Sequence, residues 1–349
     1  MNKLKIAVLF GGYSTEYDIS LQSAYSVITH LDRSKYDPVL LGITPSGEWF
    51  HFSGELVKIK ENTWYNPSDC VRAIVSPSRE AHGVLEFDAS EIRTIRLDAA
   101  MPVLHGKNGE DGTVQGLLEL AGIPIVGCNT LCSALCMDKD RAHKIAHAAG
   151  IRIPRSFVLE NETDAEAALE QAEAIGYPLF VKPVRAGSSF GITKVLNREE
   201  LPAAVKLAFL HDDRVIIEEN ISGFEVGCAV LGNDKLIVGE LGEIELADGF
   251  FDYKEKYTPK TYSYYVPARI PAQKTEEIKE TARTIYRALG CTGFARVDLF
   301  FTPSGEIIFN EVNTIPGFTA HSHYPHMLKA AGMSFEQIID TSIQLAVDA

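Results

Sequence analysis

The chain has 349 residues, of which 46% are hydrophobic and 23% charged, the balance of an ordinary soluble globular protein. A formal charge of −14 and a pI near 5.2 argue against a general binder of nucleic acid or anionic membrane, so a phosphate pocket must be locally basic inside an acidic shell. No apolar run reaches the ~20 residues that cross a bilayer, and at roughly 100–200 residues per domain the length accommodates two or three domains.

Lys3–Phe10 has a basic start and an apolar run that stops at Gly11-Gly12, too short for a signal-peptide core, and reads as a first strand. Gly11-Gly12-Tyr13-Ser14-Thr15-Glu16 leads into an amphipathic helix through about Leu31. Strand, glycine turn and helix N-terminus present backbone N–H groups to an anion. Tyr36–Thr44 reads as a second strand, while residues 50–95 are polar, poorly periodic and give no placement. Arg96–Val103 reads as a third, buried strand. It ends at His105-Gly106-Lys107-Asn108-Gly109-Glu110-Asp111-Gly112, a loop at the carboxyl end of a strand, where open α/β sheets bind ligands. A helix over Thr113–Ala121 and a short strand at Pro124–Val126 close this unit. Cys128, Cys132 and Cys136 follow at helical spacing. With Cys70, Cys228 and Cys291 they make six cysteines in apolar context. No His or CxxC completes a zinc set, so they read as buried free thiols of a reducing cytoplasm.

Beyond Cys136 the pattern predicts a helix (Asp138–Ala148), a strand (Phe157–Leu159) and a capping box at Thr163-Asp164-Ala165-Glu166. Tyr177–Pro183 is a buried strand carrying Lys182. The loop Arg185–Gly191 separates it from the strand Ile192–Leu196. A glycine loop between two strands is neither a Walker P-loop nor a Rossmann fingerprint, whose glycines open a helix. Its N–H groups can fold over phosphates, with Lys182 and Lys139 supplying positive charge. A helix (Arg198–Leu210) and the strand Val215–Glu219 complete a small α+β unit. Strands at Glu225–Leu231 and Lys235–Leu241, a polar aromatic loop over Ala247–Tyr265 and a helix (Gln273–Leu289) follow. A final helix opens at Ser334, with Gln337 as its capping-box partner.

Between these helices Phe294–His323 reads as two strands joined by Thr302-Pro303-Ser304-Gly305, which has type I turn chemistry. With Thr302 paired to Gly305, Arg296 would oppose Glu311 and Asp298 would oppose Phe309. Alternation then places Arg296, Asp298, Glu311 and Asn313 on one face. Both parities are flanked by apolar residues, so these carboxylates are expected to be partly buried and to need a cation. Hard oxygen donors on paired strands suit Mg²⁺ beside phosphate.

Gly11–Glu16, His105-Gly106 with Gly109–Gly112, Met137-Asp138-Lys139, Lys182-Pro183, Gly187-Ser188-Ser189, Glu311-Val312-Asn313 and Pro316-Gly317 occur in colinear order over nearly the whole chain. Together they resemble the D-alanine–D-alanine ligase family of ATP-grasp enzymes. The resemblance implies α/β and α+β architecture: an open α/β first-substrate domain (1–136), a central ATP-grasp domain (137–222) and a C-terminal sheet-rich domain (223–349). It implies ATP contacted by Lys139, Lys182, Ser188, Ser189, Glu218, Glu225 and Lys256, and two Mg²⁺, or Mn²⁺, on Asp298, Glu311 and Asn313. Glu16, Ser188, Tyr257, Arg296 and the Gly317 N–H would act on the reacting groups. Glu16, His105, Tyr253, Ser322 and His323 would meet the D-amino acids. A cytoplasmic homodimer making cell-wall precursors, without nucleic-acid or membrane partners, is implied as well. Lys256-Tyr257 replaces the His-bearing segment of the D-lactate-joining members, which points to an amine as second substrate. His323 stands where D-alanine-joining members carry an apolar residue and D-serine-joining members, of vancomycin-resistance type, usually carry Arg. A polar group there suits the hydroxyl of D-serine, with D-alanine the alternative. Another ATP-grasp enzyme would lack the motifs around Glu16 and His105. A non-catalytic ATP-binding module would be expected to lack one of Lys182, Arg296, Asp298, Glu311 or Asn313.

Overall fold

The computed structural model describes residues 3–88, 91–162, 168–187, 190–246 and 262–349. The capping box at 163–166, Ser188, Ser189, Tyr253, Lys256 and Tyr257 lie outside the described residues.

Among the described residues, three sheets carry the fold. The first has seven strands: β1 (Leu4–Gly11), β2 (Tyr36–Ile43), β3 (Trp49–Phe52), β4 (Cys70–Val75), β5 (Gly83–Phe87), β6 (Ile92–Arg96) and β7 (Ala99–Pro102), in the order β6-β5-β4-β3-β2-β1-β7. β1 runs parallel to both β2 and β7, so the chain order reverses across β1 and opens a crevice at its carboxyl end. The loops after β1 and β7, Gly11–Glu16 and His105–Gly112, both emerge there. The segment 50–95, unplaced from sequence, forms the antiparallel extension β3–β6. Its strands are short and partly exposed, and Ile92–Arg96 shows little apolar alternation, which removes the period-2 signal. The expected strand at Pro124–Val126 is reduced to one parallel bridge, Ala100 to Ile125.

The second sheet has four strands, with β8 (Ser156–Leu159), β9 (Leu179–Pro183), β10 (Thr193–Val195) and β11 (Val215–Glu219) in the order β10-β9-β11-β8. The third sheet is built on β12 (Phe224–Leu231), β14 (Gly242–Leu246), β15 (Tyr262–Tyr265), β16 (Phe294–Phe301) and β17 (Ile307–Asn313), with the two-residue strand β13 (Ile237–Val238) paired to β12. Tyr262–Tyr265, read from sequence as loop, is thus an edge strand, while Lys235–Leu241 shrinks to Ile237–Val238.

Helix α1 (Tyr17–His30) covers the first sheet, and Ser20 at its start joins three segments. Its Oγ accepts the Gly11 N–H at 2.8 Å and donates to the Val103 carbonyl. Gly11 is at φ +86, and a Cβ there would strike the Ile43 carbonyl, so only glycine fits this turn. The last helix, Phe335–Val347, opens on the Ser334–Gln337 capping box and returns to the first sheet. There Lys35 and Tyr36 contact Asp340, and Gln344 donates to the Tyr36 hydroxyl.

Ser20→Ala would leave the buried Gly11 N–H and Val103 carbonyl without this hydroxyl. A loss of about 1–3 kcal/mol is expected, read as a lowered melting temperature. An unchanged melting curve would exclude Ser20 as the pin of this corner.

Candidate active site

The hairpin β16–β17 departs from its expected register in two steps. Gly305 N–H donates to Thr302 O and Thr302 N–H to Glu306 O, so the type I turn ends in a glycine bulge, with Gly305 at φ +81. Phe301 therefore pairs with Ile307 rather than Glu306. A second offset lies between Asp298 and Leu299: Leu299 faces Phe309, but Asp298 faces Glu311, leaving Asn310 unpaired in the bulge. The expected pairings Arg296–Glu311 and Asp298–Phe309 are thus replaced by Arg296–Asn313 and Asp298–Glu311. One offset would turn every side chain over; two restore the parity. The four residues consequently share a face, as their contacts show.

Asp298 is buried, and its carboxylate accepts from Arg296 Nε at 2.8 Å, Arg296 Nη2 at 2.7 Å and Asn313 Nδ2 at 2.8 Å. Burial opposes the Arg296 charge, but Asp298, Glu225 and Glu311 outweigh it and raise its pKa above the ordinary arginine value. Lys139, at the start of the helix Lys139–Ala148, lies 3.5 Å from Glu311 and donates to the Ala186 carbonyl. Lys182 on β9 reaches across to β11 and meets Glu218 at 2.5 Å. Burial works to raise the Glu218 pKa; the Lys182 charge, then His143, bring it below the usual carboxylate range. Both ends of this pair are buried, so Lys182 is not the solvated lysine expected of a lone strand end.

The two loops of the first sheet meet this hairpin from the other side. His105 is buried, with Nδ1 2.9 Å from the Ile315 carbonyl and Nε2 3.2 Å from Ser23 Oγ. A carbonyl only accepts, so Nδ1 carries the proton and Nε2 accepts from Ser23. Burial lowers the His105 pKa, against the pull of Glu16, and keeps the ring neutral. Glu110 accepts from Gly106 N–H at 2.9 Å and from Ile315 N–H at 3.1 Å. The backbone of Ile315 is therefore gripped at both its N–H and its carbonyl. Glu16 stands between two glycines: a Cβ on Gly106 would approach its Oε2 to 2.5 Å, and one on Gly187 to 3.1 Å.

These groups surround a cavity of about 330 Å³. Glu16, His105, Lys139, Glu225, Arg296, Glu311, Asn313, Gly317, Ser322 and His323 line it, as do Glu110 and Gly187. Lys182, Glu218 and Asp298 are buried and are not among its lining residues. His323 opens the helix His323–Ala330 and stacks on Tyr264, with ring centroids 4.0 Å apart and planes at 15°. Gly242 makes room for that tyrosine, since a Cβ there would strike its hydroxyl. Sequence reasoning gave no role to Glu110, Ile315 or Tyr264. Glu110 stood in a loop already marked for ligands, whereas Tyr264 fell in a stretch read as irregular.

A crevice at a sheet switch point, closed by a carboxylate-bearing hairpin and a lysine-bearing sheet, is the site of an ATP-dependent ligase of the ATP-grasp fold. Residues 5–128 match the family model "D-ala D-ala ligase N-terminus" and residues 145–344 the model "D-ala D-ala ligase C-terminus". The vancomycin B-type resistance protein of Enterococcus faecalis is 46% identical over 100% of both chains. A D-alanine–D-alanine ligase of Caldicellulosiruptor bescii is 44% identical over 100% of this chain and 96% of its own. Among solved structures, the VanG D-Ala:D-Ser ligase from Enterococcus faecalis superposes with a TM-score of 0.92 at 58% identity, covering 99% of this chain and 100% of the other. The chain belongs to the D-alanine–D-alanine ligase family, whose members use ATP and a divalent metal.

Burial first, then the charge of Glu16, pushes the Glu110 carboxyl up to about 8, against the two N–H groups that favour its ionised form. An unfolded chain ionises this group near 4.5, so its contribution to stability is full below that pH and is lost as pH rises through about 8. Glu110→Gln removes the titration. Its melting temperature relative to wild type should therefore climb across that window, by an amount on the order of a few kcal/mol in stability at the upper end. A difference that stays constant with pH would show that Glu110 is ionised throughout.

Proposed function

We propose that the protein joins D-alanine to D-serine through a D-alanyl phosphate, for cell-wall precursors of the vancomycin-resistance type. D-alanine as second substrate is the alternative. The observation that carries this reading is the convergence of Glu16, Arg296, Glu311, Asn313, Gly317 and His323 on one cavity. In this reading residues 1–136 hold the first substrate, 137–222 and 223–349 grip ATP between them, and the enzyme works as a cytoplasmic homodimer.

The first D-alanine enters with its ammonium on Glu16 and neutral His105 nearby. Its carboxylate oxygen attacks the γ-phosphorus of ATP, the bond to the β-phosphate oxygen breaks, and ADP leaves. The amine of the second amino acid then attacks the acyl carbonyl and loses a proton, and inorganic phosphate departs with the former carboxylate oxygen. Lys139 and Lys182 offset phosphate charge, Lys182 by exchanging Glu218 for a phosphate oxygen, while Glu218 and Glu225 take the adenine and ribose. Arg296 and the Gly317 N–H face the oxyanion of the tetrahedral intermediate, where fixed donors in a dry site do most. Ser188, Ser189, Lys256 and Tyr257 we assign to the transferred phosphate and the Glu16 group, and Tyr253 to the substrate pocket.

Asp298, Glu311 and Asn313 fit a hard cation: three oxygen-bearing side chains on paired strands, with the Asn313 amide able to turn its oxygen inward. Two Mg²⁺ ions, or Mn²⁺, would neutralise the β- and γ-phosphates there.

For the second substrate the support is His323, a polar ring held by Tyr264 on the cavity wall, and the likeness to a structure titled a D-Ala:D-Ser ligase. A hydrogen-bonding wall discriminates strongly against a substrate lacking the hydroxyl. Incubation with ATP, Mg²⁺ and D-alanine should release phosphate slowly, and added D-serine should accelerate it and yield D-alanyl-D-serine by mass. D-alanyl-D-alanine as the main product with both amino acids present would select the alternative. His323→Leu should lower the ratio of kcat/KM for D-serine over D-alanine by about tenfold or more, one lost hydrogen bond in a dry pocket. An unchanged ratio would remove His323 from substrate choice.

A further inference from the structure

Three of the six cysteines, Cys128, Cys132 and Cys291, meet at one point in the core, with Cys136 beside them. Cys128 precedes the helix Thr130–Met137, Cys132 and Cys136 lie one turn apart on it, and Cys291 sits in the turn before β16. Cys132 Sγ is 3.4 Å from Cys291 Sγ and 3.8 Å from Cys136 Sγ. The sulfurs of Cys128, Cys132 and Cys291 all lie within 4.8 Å of one another. Sequence spacing missed the set because its fourth member comes from a segment 159 residues away from Cys132.

We propose that Cys128, Cys132 and Cys291 form a thiolate site for a thiophilic d¹⁰ cation, Zn²⁺ in the cell, with Cys136, whose sulfur lies beside Cys132, turning in as the fourth ligand. At a Zn–S bond of about 2.3 Å, the sulfurs of a tetrahedron stand about 3.8 Å apart, close to the Cys132–Cys291 and Cys132–Cys136 separations. Four protein ligands would leave no open coordination position, the hallmark of a structural rather than a catalytic zinc. All four residues are buried, and Cys136 also lines the active-site cavity, which gives the metal an entry. The four thiols lose their protons to solvent as the metal binds, leaving Zn(S)₄ with a net charge of −2. Cys128 now donates to the carbonyls of Thr292 and Phe294 and gives up those contacts. Packing alone would make these four small apolar side chains. A metal would instead bind the helix Thr130–Met137 to the third sheet, two residues before Lys139 of the active site.

The test uses the whole protein, purified with a thiol reductant, stripped of metal, incubated with excess Zn²⁺ and desalted. Elemental analysis should find about one zinc per chain in wild type and in Cys70→Ser, whose sulfur lies elsewhere. Cys132→Ser and Cys291→Ser should each lose most of it. Loading with Co²⁺ should give the intense near-ultraviolet sulfur-to-cobalt band, which the oxygen-rich magnesium site does not produce. Wild type that retains no zinc and shows no such band overturns the proposal, whatever the variants do. So does a full equivalent of metal in both serine variants. Cys291→His, which keeps four ligands, should restore binding if a variant fails only through folding; its failure to do so in a folded protein, judged by circular dichroism, counts against the site.

Discussion

The backbone of Ile315 holds the two halves of the cleft together. Its carbonyl accepts from His105 Nδ1–H and its N–H donates to Glu110, both in a loop more than two hundred residues earlier. Closing so long a loop adds little to the entropy cost of a shorter one, because that cost grows with the logarithm of length. His105 and Ile315 are buried and Glu110 is half-buried, so removing one would strand another. Ser23 extends the grip, taking the Phe318 N–H and donating to His105. The positions of Gly317 on one side and Glu16 on the other follow from this clamp, and with them the width of the space where two amino acids would meet.

The face of the hairpin was legible in the sequence, although its register was not. Thr302–Gly305 announces a turn, but a type I turn alone splays the strands, and the glycine bulge that corrects the twist costs one residue of register. Asn310 adds a second offset that no local signal marks. What survives both is parity, because alternation depends only on whether the offset is even. Arg296, Asp298, Glu311 and Asn313 therefore come together whichever count is used. The glycine loops at 11–16 and 105–112 were legible for a related reason: each follows an apolar strand, and the parallel neighbours of β1 bring both to one edge.

Other parts depend on partners that no window of sequence contains. Residues 50–95 form strands because the edge of β2 is there to pair with, not because their own pattern demands it. Lys182 and Glu218 are bound by adjacency of β9 and β11, a pairing that hydrophobic alternation leaves open. Tyr264 and His323 stack across elements joined through the third sheet, and the glycine that seats the tyrosine gives no sign of its purpose until both are placed. The cysteines illustrate the same limit, since Cys132 and Cys136 share a helix, Cys128 precedes it and Cys291 arrives by tertiary contact.

The final helix has a bearing on how the chain comes off the ribosome. The core beneath β1 and α1 includes Phe335, Ile338, Ile339 and Ile343 beside Ile6, Val8 and Leu21. At synthesis rates of about 5–20 residues per second, the first sheet waits on the order of ten seconds or more for the segment that completes its cover. Until then that apolar face lacks its cover, and a chain truncated before Phe335 would leave the first sheet, not the third, exposed to proteolysis.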